Sequence, residues 1–334
     1  MRRPWLAPFT PLYAAGLALR NRRIENGSEP VRRLRWPVVS VGNLSTGGSG
    51  KTPLTIALAK ALAERGFHVD VLSRGYGRRS KLAARVDPGG SAEEFGDEPL
   101  LIAREAGVPV YVARQRYEAG VLAEAETSSG ESSRAGAGVH LLDDAFQHRQ
   151  LARDVDILLL NQEDWLDNLL PAGNLREPLT ALRRATVLAI PATEPGLEAE
   201  LGIWGWQGPV WRLHRTMEAA ACDGPVAAFC GIARPEQFFA GLEAAGLRLA
   251  ARVAFPDHHR YTPADLRRLA ASARAAGATA LVTTGKDQVR LGKLASTLPA
   301  SLPLTTAGLR IEVEEQDLSW LIDRLQSAPA HPPL

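Results

Sequence analysis

The chain has 334 residues, 45% of them hydrophobic, which suits two domains or one large one. It has no unbroken apolar run of 18 residues, so it does not read as membrane-spanning, and a net charge of +2 gives no bulk electrostatic case for nucleic-acid binding. Its two cysteines, Cys222 and Cys230, are too few for a disulfide framework and fit no metal spacing; Cys230 lies in an apolar run and reads as a buried thiol, as in a reducing cytoplasm.

Residues 1–30 set Arg2, Arg3, Arg20, Arg22 and Arg23 around an apolar centre. Pro4, Pro8 and Pro11 interrupt that centre, which argues against a secretory signal. From Phe9 on, Leu12, Tyr13, Gly16 and Leu19 fall near one helical face. Such a helix suits an anionic membrane surface, and equally an ordinary helix packed on its own domain.

The run from Val38 to Leu62 carries the strongest chemical signal. An apolar β-branched strand ends at Gly42, a glycine-rich turn follows, and Gly50-Lys51-Thr52 opens a helix-forming segment. That order makes a phosphate-binding P-loop: glycines let backbone N–H groups turn toward phosphate oxygens, and the helix N-terminus adds positive charge. Ser45, Thr46, Gly47, Gly48, Ser49, Gly50, Lys51 and Thr52 would form the nucleotide cradle. Lys51 would reach the outer phosphates and the Thr52 hydroxyl would hold Mg²⁺. The strict pattern asks for glycine where Ser45 stands; the match is to the variant GG-x-GKT.

Further on, the expected elements are a helix over 53–65, a strand in HVDVLSRGYG, a helix over 98–107, a strand over 108–112 and a helical stretch over 115–126. Residues 125–138, small, polar and glycine-rich, read as a flexible loop. Strands follow in VHLLDD, DVDILLLN and over 183–192. This alternation predicts an α/β fold with a doubly wound, mostly parallel sheet, whose ligands sit at the carboxyl ends of the strands. The expected division is a P-loop domain over 31–205, a tryptophan-rich, β-rich linker over 206–223 and a smaller α/β domain over 224–334.

Four constellations could carry chemistry. Asp143 and Asp144 end an apolar strand and could hold Mg²⁺ opposite Thr52, although one could be a helix cap. Asp97 and Glu98 precede a helix; they read as caps, or as carboxylates facing the γ-phosphate as base or metal partner. FPDHHRYT offers Asp257, His258, His259 and Tyr261, with histidine suited to proton transfer, or simply forms a polar loop. Arg74, Tyr76 and Arg78, and Asn174, Arg176 and Glu177, lie in loops where arginine could grip a phosphate. Lys286 and Asp287 in TTGKDQVRL read as a local ion pair, and the segment gives no support for guanine recognition.

GNLSTGGSGKTP, SRGYGR, GDEP, DDAFQH, PAGNLREPL, FPDHHRYT and TTGKDQVRL, taken in this order over residues 38–291, resemble the tetraacyldisaccharide 4′-kinase (lipid A 4′-kinase) family of Gram-negative bacteria. The resemblance implies an ATP- and Mg²⁺-dependent kinase that phosphorylates the 4′-hydroxyl of a tetraacylated glucosamine disaccharide 1-phosphate to give lipid IVA. It implies Asp97 as base assisted by His258, Lys51 at the transferred phosphate, and Tyr76 and Arg176 toward the lipid. Thr52, Asp143, Asp144 and Glu98 are then the candidates at the metal. A peripheral enzyme on the cytoplasmic face of the inner membrane follows, with no obligate protein partner. The chain departs from the family at Ala145, where glycine is usual, and at Asn174, where PAGPLREP has proline. The competing expectations are a membrane-associated P-loop ATPase switch and a kinase of a small soluble metabolite.

Overall fold

The structure, a computed structural model, describes residues 3–129 and 138–327. Its strands are β1 (Val38–Asn43), β2 (His68–Ser73), β3 (Ala84–Arg85), β4 (Val110–Val112), β5 (Gly138–Asp143), β6 (Val155–Leu159), β7 (Val187–Pro191), β8 (Val210–Ala219), β9 (Val226–Cys230), β10 (Leu249–Ala254), β11 (Ala280–Thr284) and β12 (Leu304–Glu312). They form one twelve-stranded sheet in the order β10-β9-β11-β12-β8-β7-β6-β1-β5-β2-β4-β3. Every pairing is parallel except β3 with β4 and β8 with β12. The fold is the expected α/β type. Parallel strands covered on both faces read as unbroken apolar runs, and β1, β5, β6 and β7 are buried at every residue.

β8 joins the two sets of strands. Val210–Leu213 pair in parallel with β7, and the next residues, His214–Ala219, pair antiparallel with β12. Most of the stretch expected as a linker is therefore a ten-residue strand in the sheet. Trp211 is fully buried there. An indole removing roughly 200 Å² from water contributes about 5 kcal/mol before entropy. Its Nε1 has no partner, which offsets about 1–3 kcal/mol of that.

One core gathers Leu54, Leu58 and Leu62 of helix Lys51–Glu64, Leu100 and Ile102 of helix Asp97–Glu105, and Leu318, Leu321 and Leu325 of helix Glu315–Gln326. The last helix follows the second set of strands in sequence yet packs on the core of the first. Arg65 also ion-pairs with its Glu315 at 2.6 Å. Helix Arg116–Ser129 covers the other face of β2 and β5 through Ala119 and Ala123. It takes in residues 125–129 of the expected loop; residues 130–137 of that loop lie outside the described residues. Helices Pro235–Ala244 and Pro263–Ala275 cover opposite faces of β9 and its neighbours. Leu179–Arg184 and Pro195–Ile203, not expected from the sequence, cover β6 and β7.

The N-terminal segment forms a 3₁₀ turn, Pro4–Phe9, and a helix, Thr10–Glu25. The expected apolar face is split. Tyr13 turns inward and donates its hydroxyl to the Arg176 carbonyl at 3.0 Å, and Ile24 is buried. Leu12 and Leu19 point outward, 75% and 63% exposed, and Trp5 and Phe9 are likewise open to solvent. No helix among the described residues is long and apolar enough to cross a membrane. Cys230 is buried and Cys222 half-buried, both free.

Candidate active site

β1 delivers the chain into the P-loop at Asn43. Gly42 is obligatory there: a Cβ would lie 2.5 Å from Phe146 Cβ and 2.7 Å from its backbone nitrogen. Gly50 stands at the N-terminus of helix Lys51–Glu64 with φ +91°, a left-handed conformation that a side chain would strain. Ser45 is buried, bridges Leu175 in antiparallel fashion, and accepts a hydrogen bond from Asn43 Nδ2 at 3.0 Å. It thereby orients Asn43, whose Oδ1 accepts from Lys51 Nζ at 3.0 Å. The Thr46 amide donates to the Asn174 carbonyl at 2.9 Å. Asn174 in turn donates twice to Asp167, so the residue at the family's proline position is held by hydrogen bonds instead of a ring.

Asp143 and Asp144 share the end of β5 but face different partners. Asp143 is buried and accepts from Thr52 Oγ1 at 3.4 Å and Thr55 Oγ1 at 3.2 Å. Burial, then the nearby Glu98 and Asp144 charges, push its carboxyl up to about 7. Asp144 accepts from Arg176 at 2.8 and 3.1 Å, and Lys51 Nζ stands 3.6 Å away. Burial would raise its carboxyl, but Lys51 and Arg176 override that and hold it well below the usual range. Asp144 also takes the left-handed backbone, φ 47°. Ala145 does not, so the family's glycine position carries no strain here. Arg116, which sequence reasoning passed over, clamps the turn by donating to the Asp143 and Asp144 carbonyls at 2.8 and 2.9 Å.

Asp97 lies in the first turn of its helix, with Gly96 and not Asp97 at the cap. One carboxylate oxygen accepts from the Glu98 amide at 3.0 Å. The other meets His258 Nδ1 at 3.0 Å and accepts from Arg290 Nε at 2.7 Å. Burial would raise the Asp97 carboxyl; the His258 hydrogen bond and the Arg290 charge hold it far below its ordinary value. The same hydrogen bond to Asp97 raises His258, against the effect of burial. His258 is 39% exposed and its ring lies 5.6 Å from that of Tyr76.

Glu98 accepts from Lys286 Nζ at 2.5 Å. The expected local pair of Lys286 with Asp287 is therefore replaced by a bridge across the sheet's two halves. Asp287 accepts instead from Tyr261, Thr284, Arg290 and the Gly231 amide. His259 pairs with Asp265, so of FPDHHRYT only Asp257 and His258 reach the cleft. His148 in DDAFQH is pushed down to about 3, by burial first and then by Arg116 and Arg153, and is neutral.

The P-loop, Tyr76, Glu98, Asp143, Asp144, Arg176, His258 and Lys286 all line one cleft of about 1430 Å³. Asp97 sits behind His258 and is only 6% exposed. Arg74 is in the wall; Arg78 instead donates to the Leu82 carbonyl. Among the four metal candidates, Thr52 and Asp143 are turned to each other, while Asp144 is paired to Arg176 and Glu98 to Lys286. No cluster of three or more histidine, cysteine or acidic residues suited to a metal exists among the described residues.

A model of the LpxK family, tetraacyldisaccharide-1-P 4′-kinase, matches residues 2–326. The chain belongs to the tetraacyldisaccharide 4′-kinase family. It is 43% identical to the Koribacter versatilis tetraacyldisaccharide 4′-kinase over 321 residues, covering 93% of this chain and 95% of that protein. The Gluconacetobacter diazotrophicus tetraacyldisaccharide 4′-kinase is 40% identical over 330 residues, covering 96% and 94%. The crystal structure of LpxK from Aquifex aeolicus in complex with ATP matches with a TM-score of 0.72 at 33% identity, covering 96% of this chain and 98% of that one. The family's fold and this chain's twelve-stranded α/β sheet are therefore the same architecture.

Proposed function

We propose that this chain transfers the γ-phosphate of ATP to the 4′-hydroxyl of tetraacyldisaccharide 1-phosphate, a step of lipid A biosynthesis. The observation that carries the reading is that Lys51, Thr52, Asp143, Asp144 and His258 all line one cleft. The match to the family over residues 2–326 supports the lipid acceptor over the switch ATPase and the soluble-metabolite kinase.

Lys51 is held at the loop by Asn43 and Asp144. Both contacts leave an ammonium poised to exchange a carboxylate for a phosphate oxygen. Residues 47–52 would present backbone N–H groups to the phosphates, the Thr46 amide being taken by the Asn174 carbonyl and Ser45 being buried behind the loop. Thr52 and Asp143 fit Mg²⁺, which takes oxygen ligands and needs only one or two protein groups beside substrate phosphates. Lys286 and Lys51 only partly offset the burial and the Glu98 and Asp144 charges that raise the Asp143 carboxyl. Bound there, Mg²⁺ would neutralise charge developing on the phosphoryl oxygens. Glu98 and Asp144 are further candidates only after release from Lys286 and Arg176.

Asp97 and His258 act as a pair on the acceptor hydroxyl proton. His258 meets the cleft, and Asp97 stands behind it at Nδ1. Either the imidazole takes the proton with Asp97 stabilising its charge, or closure on substrate brings the Asp97 carboxylate to the hydroxyl. Tyr76 and Arg176, in the same wall, suit the sugar and its charged groups. The outward Trp5, Phe9, Leu12 and Leu19, beside Arg3, Arg22 and Arg23, suit the anionic cytoplasmic face of the inner membrane.

The test is transfer of ³²P from γ-labelled ATP to tetraacyldisaccharide 1-phosphate in detergent micelles. Label in the lipid is the expected result. Phosphate release without labelled lipid would favour the switch, and label only in a water-soluble acceptor would favour the metabolite kinase.

A further inference from the structure

Arg290 is 7% exposed and spends its guanidinium on both halves of the molecule. Its Nε donates to Asp97 Oδ2 at 2.7 Å, and its NH2 stands 2.5 Å from the same oxygen. Its NH1 donates to the Gly231 carbonyl and to Asp287 Oδ1, the latter at 3.1 Å. NH2 also lies 3.2 Å from His258 Nδ1. Asp287 is fully buried and fixed by the Tyr261 hydroxyl at 2.9 Å, the Thr284 hydroxyl at 2.6 Å and the Gly231 amide at 3.1 Å. A continuous chain of charge-assisted hydrogen bonds thus runs from Tyr261, inside the second set's core, through Asp287 and Arg290 to Asp97 and His258.

Two features set this apart from an ordinary ion pair. The guanidinium is planar, so holding Asp287 with one nitrogen fixes where the others meet Asp97. The carboxylate oxygen it grips is the one that meets His258, so a shift of Arg290 displaces the dyad itself. Burial makes this geometry demanding: breaking a buried charged pair by removing one partner typically costs several kcal/mol. We propose that Arg290, anchored on Asp287, is the positioning residue that sets the Asp97–His258 pair only when the second set of strands is seated against helix Asp97–Glu105. It does not itself line the cleft, and so acts through Asp97 and His258. The proposal rests on the catalytic reading of Asp97 and His258 given above.

The test compares Arg290→Lys and Arg290→Gln with wild type and with Asp97→Asn, reading kcat, KM for ATP and thermal midpoint. Lysine keeps the charge but cannot hold Asp287, Gly231 and Asp97 together. We expect kcat to fall about tenfold with lysine and about a hundredfold with glutamine, with KM for ATP within threefold of wild type. In the Asp97→Asn background, Arg290→Gln should cost less than threefold more, because the group it positions is already gone. A kcat within threefold of wild type in Arg290→Gln, or an equal loss in the Asp97→Asn background, overturns the proposal. If Arg290→Gln does not fold, Arg290→Lys decides by the same two criteria, its threshold being a kcat within twofold of wild type. Undiminished kcat in Asp97→Asn itself would instead remove the catalytic reading of Asp97, an outcome distinct from failure of Arg290 alone.

Discussion

Thr52 Oγ1 and Asp143 Oδ2 lie 3.4 Å apart, so the first turn after the P-loop and the end of β5 converge on one point. Under the proposed function, these two oxygen donors would be completed by a cation and phosphate. Chelating divalent metal should abolish transfer, and Asp143→Asn should lower kcat at least about a hundredfold. Initial rates across a Mg²⁺ titration check this; an unchanged Mg²⁺ dependence in Asp143→Asn would exclude Asp143 from the site.

Lys51 is expected to matter for the transition state more than for folding. Its Nζ already has Asn43 and Asp144 as partners, and helix Lys51–Glu64 is held by Leu54, Leu58 and Leu62. Lys51→Ala should lower kcat by about a thousandfold, in the range of phosphate-clamp losses, and leave the thermal midpoint within a few degrees. Steady-state kinetics with calorimetry on the same sample separate the two.

The dyad predicts unequal losses. Asp97→Asn removes the charge that raises His258 and should cost about 10³ in kcat; His258→Ala should cost about 10². Asp97→Asn should also lower stability, since Arg290 loses its carboxylate partner in a buried setting. Turnover near wild type in a folded Asp97→Asn protein would remove Asp97 from the proton pathway.

A buried histidine away from the cleft predicts the pH dependence of stability. His140 is wholly buried, with Nδ1 2.8 Å from Asp70 and Nε2 3.2 Å from Glu124, and Trp36 stacks on it. Burial would lower it, but Asp70 and Glu124 override that and push it up to about 9 from 6.5. A raised folded-state pKa gives stability that is complete below pH 6.5 and lost as pH rises through 9. The loss should be on the order of 3 kcal/mol. Denaturant melts at pH 6, 7.5 and 9 check it, and His140→Gln should flatten that part of the profile.

The outward apolar residues of the N-terminal segment predict a surface-binding phenotype. Serine at Trp5, Phe9 and Leu12 removes exposed contacts and spares the inward Tyr13 and Ile24. Sedimentation with anionic vesicles should weaken about tenfold, with turnover in detergent micelles unchanged. Equal sedimentation of the triple variant would show that these residues do not hold the membrane.

The P-loop, the central strands and the α/β class were legible because each rests on local chemistry: unbroken apolar runs for buried parallel strands, and Gly-x-Gly-Lys-Thr at a helix start. The sequence offers Asp97 beside His258 only as a contact conditional on the two domains meeting at one cleft, which the family resemblance then favours, since 161 positions separate them and no local pattern joins them. Arg290 and Lys286 stood in a quoted segment, yet their partners Asp97 and Glu98 lie across the sheet; proximity in sequence pointed to Asp287 instead. Asn43 was missed because it ends an apolar strand, where its amide reads as a strand terminus; Ser45, at the glycine position, was the available hint. The Thr10–Glu25 helix misled because apolar residues lie on both sides of it. Tertiary contact at Arg176 and Gln147 decides which side turns in.

β8 changes pairing partner between Leu213 and His214, from β7 on one side to β12 on the other. That single peptide is where the two halves of one sheet are spliced, and it is not the only seam: Ile311 and helix Glu315–Gln326 share a core with helix Lys51–Glu64, and the ion pairs at Asp97 and Glu98 cross the same boundary. Donor loop and His258 therefore owe their common cleft to a splice, a shared core and two latches together.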